Sequence, residues 1–245
     1  MSGTTPQGIT DERQAAAWVR GMFGNIAGRY DLLNHLLSFN LDRLWRARTV
    51  RRVAPILQDP NARVLDLCCG TGDVMLALED RRGAAVIGAD FCHPMLVEAS
   101  RKVRARGKHS VLFEGDAMQL PIADGAFDLI TCAFGFRNLA NYETGLVELA
   151  RVLKPGGTLA ILEFSQPGNR LFAALYDWFS MKLLPFVGGL ISGSRDAYAY
   201  LPQSIRKFPN AEGLAERMQA AGFGDVEFDR MTFGTVALHV GRKLR

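Results

Sequence analysis

The chain has no unbroken apolar span, no long basic tract, no metal-ligand spacing and no internal repeat, and each absence removes a class of function. An apolar segment between 168 and 200 carries Asp177 and Lys182 in its middle and is interrupted by Pro185, Gly188 and Gly189. Charges are costly in hydrocarbon, so the segment is not read as a membrane span. The four cysteines, Cys68, Cys69, Cys92 and Cys132, contain no CxxC pair, so no zinc is expected. They lie in or beside apolar strand candidates and read as small buried hydrophobes in a reducing compartment. His35, His93, His109 and His239 form no pair at helical spacing, no Glu-plus-His motif accompanies them, and no metal is expected. No Ser-His-Asp or Cys-His arrangement is legible. The net charge of +4 leaves room for an anionic partner, but without a basic tract it describes a mildly basic enzyme better than a nucleic-acid binder. Residues 1–11 are polar and lack the apolar core of a secretory leader, so a cytoplasmic location is expected.

What is present fits a single folded domain. A chain of 245 residues with 48% apolar and 22% charged side chains can bury one large α/β core with additions. Helix is expected to begin over 11–19, and 22–52 is expected to be largely helical. There Leu36, Leu37, Leu41, Leu44 and Trp45 supply an apolar stripe, and Arg43, Arg46, Arg48, Arg51 and Arg52 a basic face. Pro55 and Pro60 then punctuate the chain. From Arg63 onward, candidate strands at 63–68, 84–89, 110–114, 127–133 and 158–164 alternate with candidate helices at 73–81, 94–106 and 142–153. That alternation predicts a mostly parallel sheet with helices on both faces. The turn Lys154-Pro155-Gly156-Gly157 separates the last helix from the last strand. A further helix at 211–221 leads to a closing hairpin, 226–231 and 236–240, so at least one terminal strand should run antiparallel. The 168–200 segment reads as a helical insert, either the lid or wall of an apolar pocket, an interfacial helix, or plain core.

The run Val64-Leu65-Asp66-Leu67-Cys68-Cys69-Gly70-Thr71-Gly72-Asp73 carries the chemistry. Gly70 and Gly72 let the backbone approach a ligand closely. Asp90, about twenty residues on at the end of the next strand, can accept hydrogen bonds from two ribose hydroxyls. Those two features alone do not separate a dinucleotide from another adenosine ligand. Asp66 and Asp73 flank the turn and would repel a pyrophosphate, whereas a ligand bearing an ammonium and a sulfonium would be attracted. Asp116 and Ala117 end the third strand where a carboxylate can accept from an adenine amino group. The closing hairpin fits a methyltransferase sheet better than two mirrored dinucleotide halves. For Asp66, tying the turn together through backbone N–H groups is as good a reading as touching ligand.

The segment Asp66–Gly72 resembles the first motif of class I S-adenosylmethionine-dependent methyltransferases. More specifically, the chain resembles the ubiquinone/menaquinone biosynthesis C-methyltransferases, from about Val19 to Gly241. The residues that carry the likeness are Phe23–Asn34 with Leu44-Trp45-Arg46, then Phe134-Gly135-Phe136-Arg137-Asn138, then Arg151–Gly157 running into Leu162-Glu163-Phe164-Ser165. The glycine motif is widely shared; the Tyr30-Asp31 and Phe134–Asn138 blocks are more specific to the family. The resemblance implies a class I Rossmann-like methyltransferase domain over 1–245, with a helical cap at 18–55 and an insert at 168–200. It implies S-adenosylmethionine as cofactor, leaving as S-adenosylhomocysteine, with contacts from Asp66, Gly70, Thr71, Gly72, Asp90, Asp116 and Ala117. Two positions depart from the pattern: Cys68 replaces a glycine, and Ala133 stands where some members have serine.

The implied reaction is methylation of a ring carbon of a prenylated quinol, demethylmenaquinol above all. Alternatives are a benzoquinol precursor of ubiquinone, or methyl transfer to oxygen or nitrogen of another small molecule. An S-adenosylmethionine-binding partner without activity is a further alternative, and an NAD-dependent oxidoreductase is the last. Aromatic carbon is a poor nucleophile until a neighbouring hydroxyl gives up its proton, so a group must stabilise the phenolate. Arg137 and Asn138 are the candidates beside the acceptor ring, with Tyr30 covering the site. Arg137 cannot itself be the base, because a guanidinium stays protonated; a structural ion pair is its other reading. A prenyl tail implies peripheral contact with the inner face of the cytoplasmic membrane, through the 43–52 basic face or the 168–200 segment. A homodimer is left open, and nucleic acid is not expected as a partner.

Overall fold

The structure is a computed structural model that describes residues 3, 4, 6, 8–167 and 195–244, with the backbone alone at 195–199. Three helices lead in: α1 (Glu12–Ile26), α2 (Tyr30–Leu37) and α3 (Leu41–Leu57). There follow β1 (Val64–Leu67), α4 (Asp73–Arg82), β2 (Ile87–Asp90), α5 (His93–Ala105), β3 (Val111–Glu114), β4 (Phe127–Ala133), α6 (Tyr142–Val152) and β5 (Leu153–Phe164). The described chain then resumes with α7 (Arg195–Lys207), α8 (Ala211–Ala220), β6 (Phe223–Met231) and β7 (Val236–Lys243). The seven strands form one sheet in the order β3-β2-β1-β4-β5-β7-β6. The first five are parallel neighbours, and β7 runs antiparallel to both β5 and β6. The mostly parallel sheet and the reversed closing hairpin expected from the sequence are both present.

Because strand side chains alternate between faces, successive residues of the central strands enter two different cores. Leu65, Leu67, Ile130, Cys132, Leu159 and Ile161 pack with Leu146 and Leu149 of α6 and Leu214 and Met218 of α8. Val64, Leu129, Ala160 and Leu162 pack on the other face with Val53 and Leu57 of α3 and Met75 and Leu78 of α4. Covering both faces is what makes the parallel strands nearly all apolar. A third cluster joins α1 and α2 to Met95 of α5 and Tyr200 of α7.

Several boundaries differ from the expected ones for physical reasons. The 22–52 region is largely helical, as expected, in three pieces: a 3-10 turn at Ala27–Arg29 and a corner at Phe39 and Asn40, these two residues with φ 52° and 60°, divide it. Pro55 does not end α3 but sits inside its last turns. The apolar stripe is also split, since Trp45 is buried while Leu36 and Leu44 face outward. Lys154–Gly157 lies within β5, where the register against β4 shifts and Gly156 takes φ 79°. Of the 168–200 insert, residues 168–194 lie outside the described residues, and only the start of α7 falls within it. No helix among the described residues is long and apolar enough to cross a membrane.

Two local constraints matter for the site. Asp66 stands opposite Thr131 in the β1–β4 register and accepts a 2.6 Å bond from its hydroxyl. Its Oδ2 is buried without a full hydrogen bond among the described residues. Burial pushes the carboxyl up to about 7, against the opposing pulls of Thr131 and the Met75 N–H. The tie across the glycine turn is made instead by Asp90, which accepts from Gly70 N–H at 2.8 Å and Cys92 N–H at 2.9 Å. Nearby, Cys68 takes φ 51°, and a Cβ placed on Gly135 would come 2.3 Å from the Cys68 Cβ. Gly135 of the Phe134–Asn138 block is therefore required by the cysteine that replaces the motif's first glycine.

Folding favours protonated Asp66, so its contribution to stability is present below pH 4 and is lost as pH rises toward 7. The shift from 3.8 to about 7 corresponds to roughly 4 kcal/mol. Ligand-free protein should lose stability between pH 4 and 7, and Asp66→Asn, which keeps the Thr131 bond, should remove the larger share of that slope in urea unfolding across the range. Gly135→Ala should cost roughly 1–3 kcal/mol by overpacking, and adding Cys68→Gly should recover most of the loss in the same measurement.

Candidate active site

The site lies at the carboxyl ends of the parallel strands, where open α/β sheets place ligands. Here β1 gives way to a turn with three left-handed residues, Cys68, Gly70 and Gly72. The two glycines serve different ends. A Cβ on Gly70 would meet only Tyr30 Cε1, at 3.8 Å, so its missing side chain opens space toward a ligand. A Cβ on Gly72 would press on Met75 and Ala99 at 3.1 and 3.2 Å, so this glycine lets α4 and α5 approach.

A first chamber of about 680 Å³ of empty space, its open mouth included, is lined by Gly70, Asp90, Asp116, Ala117 and Asn138 among others. Burial pushes the Asp90 carboxyl up to about 6, against its backbone N–H partners. Asp116 is exposed and fixed by the Met118 N–H at 2.9 Å. Beside this chamber a smaller recess is bounded by Tyr30, Arg46, Asp66, Gly70, Thr71 and Asp73. The pair suits an adenosine ligand with a cationic tail: carboxylates for the ribose and adenine, close backbone at Gly70, and the buried, incompletely bonded Asp66 oxygen for an ammonium.

Thr71 borders the recess, not the first chamber, and its hydroxyl is engaged. It donates to Asp31 at 2.5 Å and accepts from Lys102 at 3.0 Å. Lys102 also pairs with Asp31 and Asp73, each at 2.6 Å, and Arg46 with Asp73 and, at 3.2 Å, Asp42. Burial works against the Asp73 charge, but Arg46 and Lys102 outweigh it and hold the carboxyl below its usual range. This network clamps α2 and α3 onto the glycine turn. It also absorbs part of the expected basic face: Arg46 belongs to it, Arg48 pairs with Asp229 and Arg52 with Glu227.

A second chamber, about 1320 Å³ with its open mouth, is mainly apolar. Met22, Ile26, Leu33 and Leu37 line one side and Trp45, Phe134 and Phe164 another, the last two rings 4.9 Å apart. Phe23, Tyr30 and Phe134 line both chambers and form their boundary. Burial raises the Tyr30 phenol, against a hydrogen bond with Asn34.

Arg137 and Asn138, adjacent in sequence, serve different chambers. Arg137 lines the second, buried, its guanidinium 5.2 Å from the centre of the Phe164 ring. It pairs with Glu163 at 3.1 Å and donates to the Phe134 carbonyl. Glu163 also accepts the backbone N–H groups of Arg137 and Phe164. Burial pushes the Glu163 carboxyl up and works against the Arg137 charge, yet these donors favour the carboxylate, and the facing carboxylate raises the guanidinium above its ordinary range. Arg137 Nε keeps no hydrogen-bond partner among the described residues. Asn138 lines the first chamber and accepts from Tyr200 of α7, which lines the second, at 3.2 Å.

Sequence reasoning missed Glu163, Tyr200 and Arg46 as site residues. Glu163 carried a signal, an acid closing an otherwise apolar strand; Tyr200 carried none, because only the fold brings α7 to Asn138. His93 is exposed and faces Glu114. Among the described residues no three His, Cys, Asp or Glu side chains converge as metal ligands would.

Comparison with known proteins agrees with this geometry. Solved structures share the fold: a Thermotoga maritima S-adenosylmethionine-dependent methyltransferase, described as a possible histamine N-methyltransferase, superposes with a TM-score of 0.63 at 20% identity, over 91% of this chain and 99% of that one. Among curated relatives, the demethylmenaquinone methyltransferase of Thermus thermophilus is 52% identical over 221 residues, 90% of this chain and 99% of that protein. The ubiquinone/menaquinone biosynthesis C-methyltransferase UbiE of Paracoccus denitrificans is 40% identical over 95% of this chain and 93% of its own length. Residues 8–243 match the ubiE/COQ5 methyltransferase family, and with two chambers meeting at the strand ends of a methyltransferase sheet, the chain belongs to that family.

Proposed function

We propose that the protein is an S-adenosylmethionine-dependent C-methyltransferase that converts demethylmenaquinol to menaquinol. The observation that carries the reading is the junction of the two chambers, one lined by carboxylates and close backbone, the other apolar and large enough for a fused quinol ring. The 52% identity to a demethylmenaquinone methyltransferase supports the naphthoquinol acceptor. Relatives near 40% identity carry the ubiquinone/menaquinone name, which keeps a benzoquinol acceptor as the second reading.

When bound, S-adenosylmethionine supplies an electrophilic methyl group for the ring carbon. The residues proposed to hold it are Asp90 at the ribose, Asp116 and Ala117 at the adenine, Gly70 by close backbone, and Asp66 at the ammonium. Thr71 and Gly72 shape the turn that presents Gly70. On the acceptor side Arg137 offers positive charge in a water-poor chamber, where it lowers the energy of the quinolate oxygen that activates the ring. Asn138 orients the boundary through Tyr200, and Tyr30 covers the junction and excludes water. The helices of 18–55 act as a cap that closes the second chamber, within one catalytic domain. The long prenyl tail requires work at the inner face of the cytoplasmic membrane.

Incubation with deuteromethyl cofactor and either demethylmenaquinol or a demethylated benzoquinol, followed by mass spectrometry, should place the label on a ring carbon of the naphthoquinol. Label on the benzoquinol alone would replace the first reading by the second, and label on neither would remove both. Arg137→Ala should lower turnover by about 10²–10³-fold. It should also destabilise the fold by roughly 3–5 kcal/mol, because it orphans the Glu163 charge. The pair Arg137→Met with Glu163→Leu removes both charges. It should recover stability without recovering turnover, and recovery of both would reduce Arg137 to a structural part.

A further inference from the structure

Methylation of a ring carbon exchanges a C–H bond for a C–CH3 bond, so one proton leaves the acceptor in every turnover. The hydroxyl that activates the ring must first give up its own proton, and a side chain has to take it. Among the described residues, the titratable groups lining the second chamber are Tyr30, Asp42, Arg46, Arg137 and Tyr200. The two guanidiniums stay protonated and have nothing to accept with. Burial pushes the Tyr30 and Tyr200 phenols up, so neither is a phenolate near neutral pH. That leaves Asp42, the one carboxylate among the described residues that line this chamber.

Asp42 stands in the first turn of α3, just after the corner at Phe39 and Asn40 that separates α3 from α2. It is buried, at 3% exposure. A buried carboxylate is costly unless donors are held against it, and three are. Ser38 Oγ donates to Oδ1 at 2.8 Å, His35 Nδ1 bonds Oδ2 at 2.8 Å, and Arg46 pairs with Oδ2 at 3.2 Å. Three donors leave one of the roughly four lone-pair sites of the carboxylate free for a ligand. Ser38 also lines the chamber. It commits its hydroxyl proton to Asp42, the other acceptor in reach, the His35 carbonyl, being 3.4 Å away. This corner therefore offers lone pairs and suits a ligand that donates, a hydroxyl and not a carbonyl oxygen. Arg46 ties the corner to the cofactor side: it lines both this chamber and the recess at the glycine turn. Arg46 and Arg137 both act on the Tyr30 phenol at the boundary of the chambers.

We propose that Asp42 is the catalytic base, whose carboxylate takes the proton of the quinol hydroxyl beside the carbon that receives the methyl group. The inference rests on the reading of the acceptor as a quinol and supplies the base which that reading lacks. The O–H bond breaks, its proton moves to a carboxylate oxygen of Asp42, and its electron pair is pushed into the ring. The ring carbon forms the new bond to the methyl carbon, and the sulfur keeps the electron pair of the bond that breaks. The proton displaced from that ring carbon restores the hydroxyl, and the proton on Asp42 passes to water at the edge of His35, whose side chain is 24% exposed. One proton is released in all. Arg137 stabilises the oxygen while it is charged, and Asp42 receives what leaves it. An Asp42 that only stapled the α2–α3 corner would be indifferent to how acidic the acceptor is, and that difference separates the two roles.

The test uses the whole chain and Asp42→Asn, which keeps the size of the side chain and an acceptor oxygen for Ser38. Binding of S-adenosylhomocysteine, measured by calorimetry, should be unchanged. Turnover of a short-tailed demethylnaphthoquinol should fall about 10²–10⁴-fold. A second acceptor is the same quinol fluorinated on the fused ring that takes no methyl, so that its hydroxyl is already ionised at the assay pH. On it the variant should lose less than about tenfold against the unmodified protein, because no proton has to be taken before attack. Equal losses on the two acceptors would make Asp42 structural and overturn the proposal, as would turnover of the ordinary acceptor at the unmodified rate. Should Asp42→Asn no longer bind cofactor, Asp42→Glu and Asp42→Gln, equal in size, take its place. Glutamate should outpace glutamine on the ordinary acceptor and not on the fluorinated one, and equal turnover on both would overturn the proposal. Failure of the unmodified protein to methylate either a naphthoquinol or a benzoquinol would remove the acceptor reading and this base with it. An active protein indifferent to Asp42 would remove the base alone.

Discussion

The buried ion pair between Arg137 and Glu163 is the interaction on which the arrangement of the site depends. It joins the loop after β4 to the end of β5, two neighbouring strands whose carboxyl ends form the floor of the site. A single arginine there donates to Glu163 and to the Phe134 carbonyl three residues back. The loop is thereby closed on itself, and its residues are distributed to opposite sides. Phe134 faces both chambers, Arg137 the second and Asn138 the first. Burying two charges is expensive unless geometry and additional donors favour them. Glu163 has those donors in two backbone N–H groups, so the pair persists where a lone arginine would not.

The glycine turn is fixed by the same logic with different chemistry. Asp90 holds Gly70 across from β2, and Gly135 makes room for Cys68, so the turn and the 134–138 loop fit against each other. The network of Asp31, Thr71, Lys102, Asp73 and Arg46 then brings α2 and α3 over both. Tyr30 arrives at the boundary between the chambers as a result of that clamp. On the proposed reading, the residues that recognise the cofactor and those that receive the quinol are coupled through packed side chains a few ångströms long, not through a distant relay.

The sheet was legible from the alternation of apolar strands with helices, because burial on both faces writes itself into composition. That Asp90, Asp116, Ala117 and Gly70 lie together at the strand ends was legible too, since strand ends and glycine turns are local signals. What could not be read locally depended on contacts between distant segments. The 22–52 region was broken by a 3-10 turn at Ala27–Arg29, marked only by Gly28, and by a corner at Phe39-Asn40 that no proline or glycine announces. Thr71 and Gly72 were named for the motif they occupy, but partners on α2 and α5 decide what they touch. Arg137 and Asn138 were assigned together because they are adjacent, whereas a 3-10 turn at Phe136–Asn138 sends them to different chambers.

On the proposed reading, donor and acceptor meet across the Tyr30–Phe134 boundary, and the Arg137–Glu163 pair holds that boundary in place. The most direct measurement is a crystal structure of the ternary complex with S-adenosylhomocysteine and demethylmenaquinol. It should show the sulfur in the first chamber facing a quinol ring carbon in the second, with no side chain between them, Arg137 on the quinol oxygen, and the ion pair intact. A quinol ring bound outside the second chamber, or a sulfur turned away from the boundary, would contradict it.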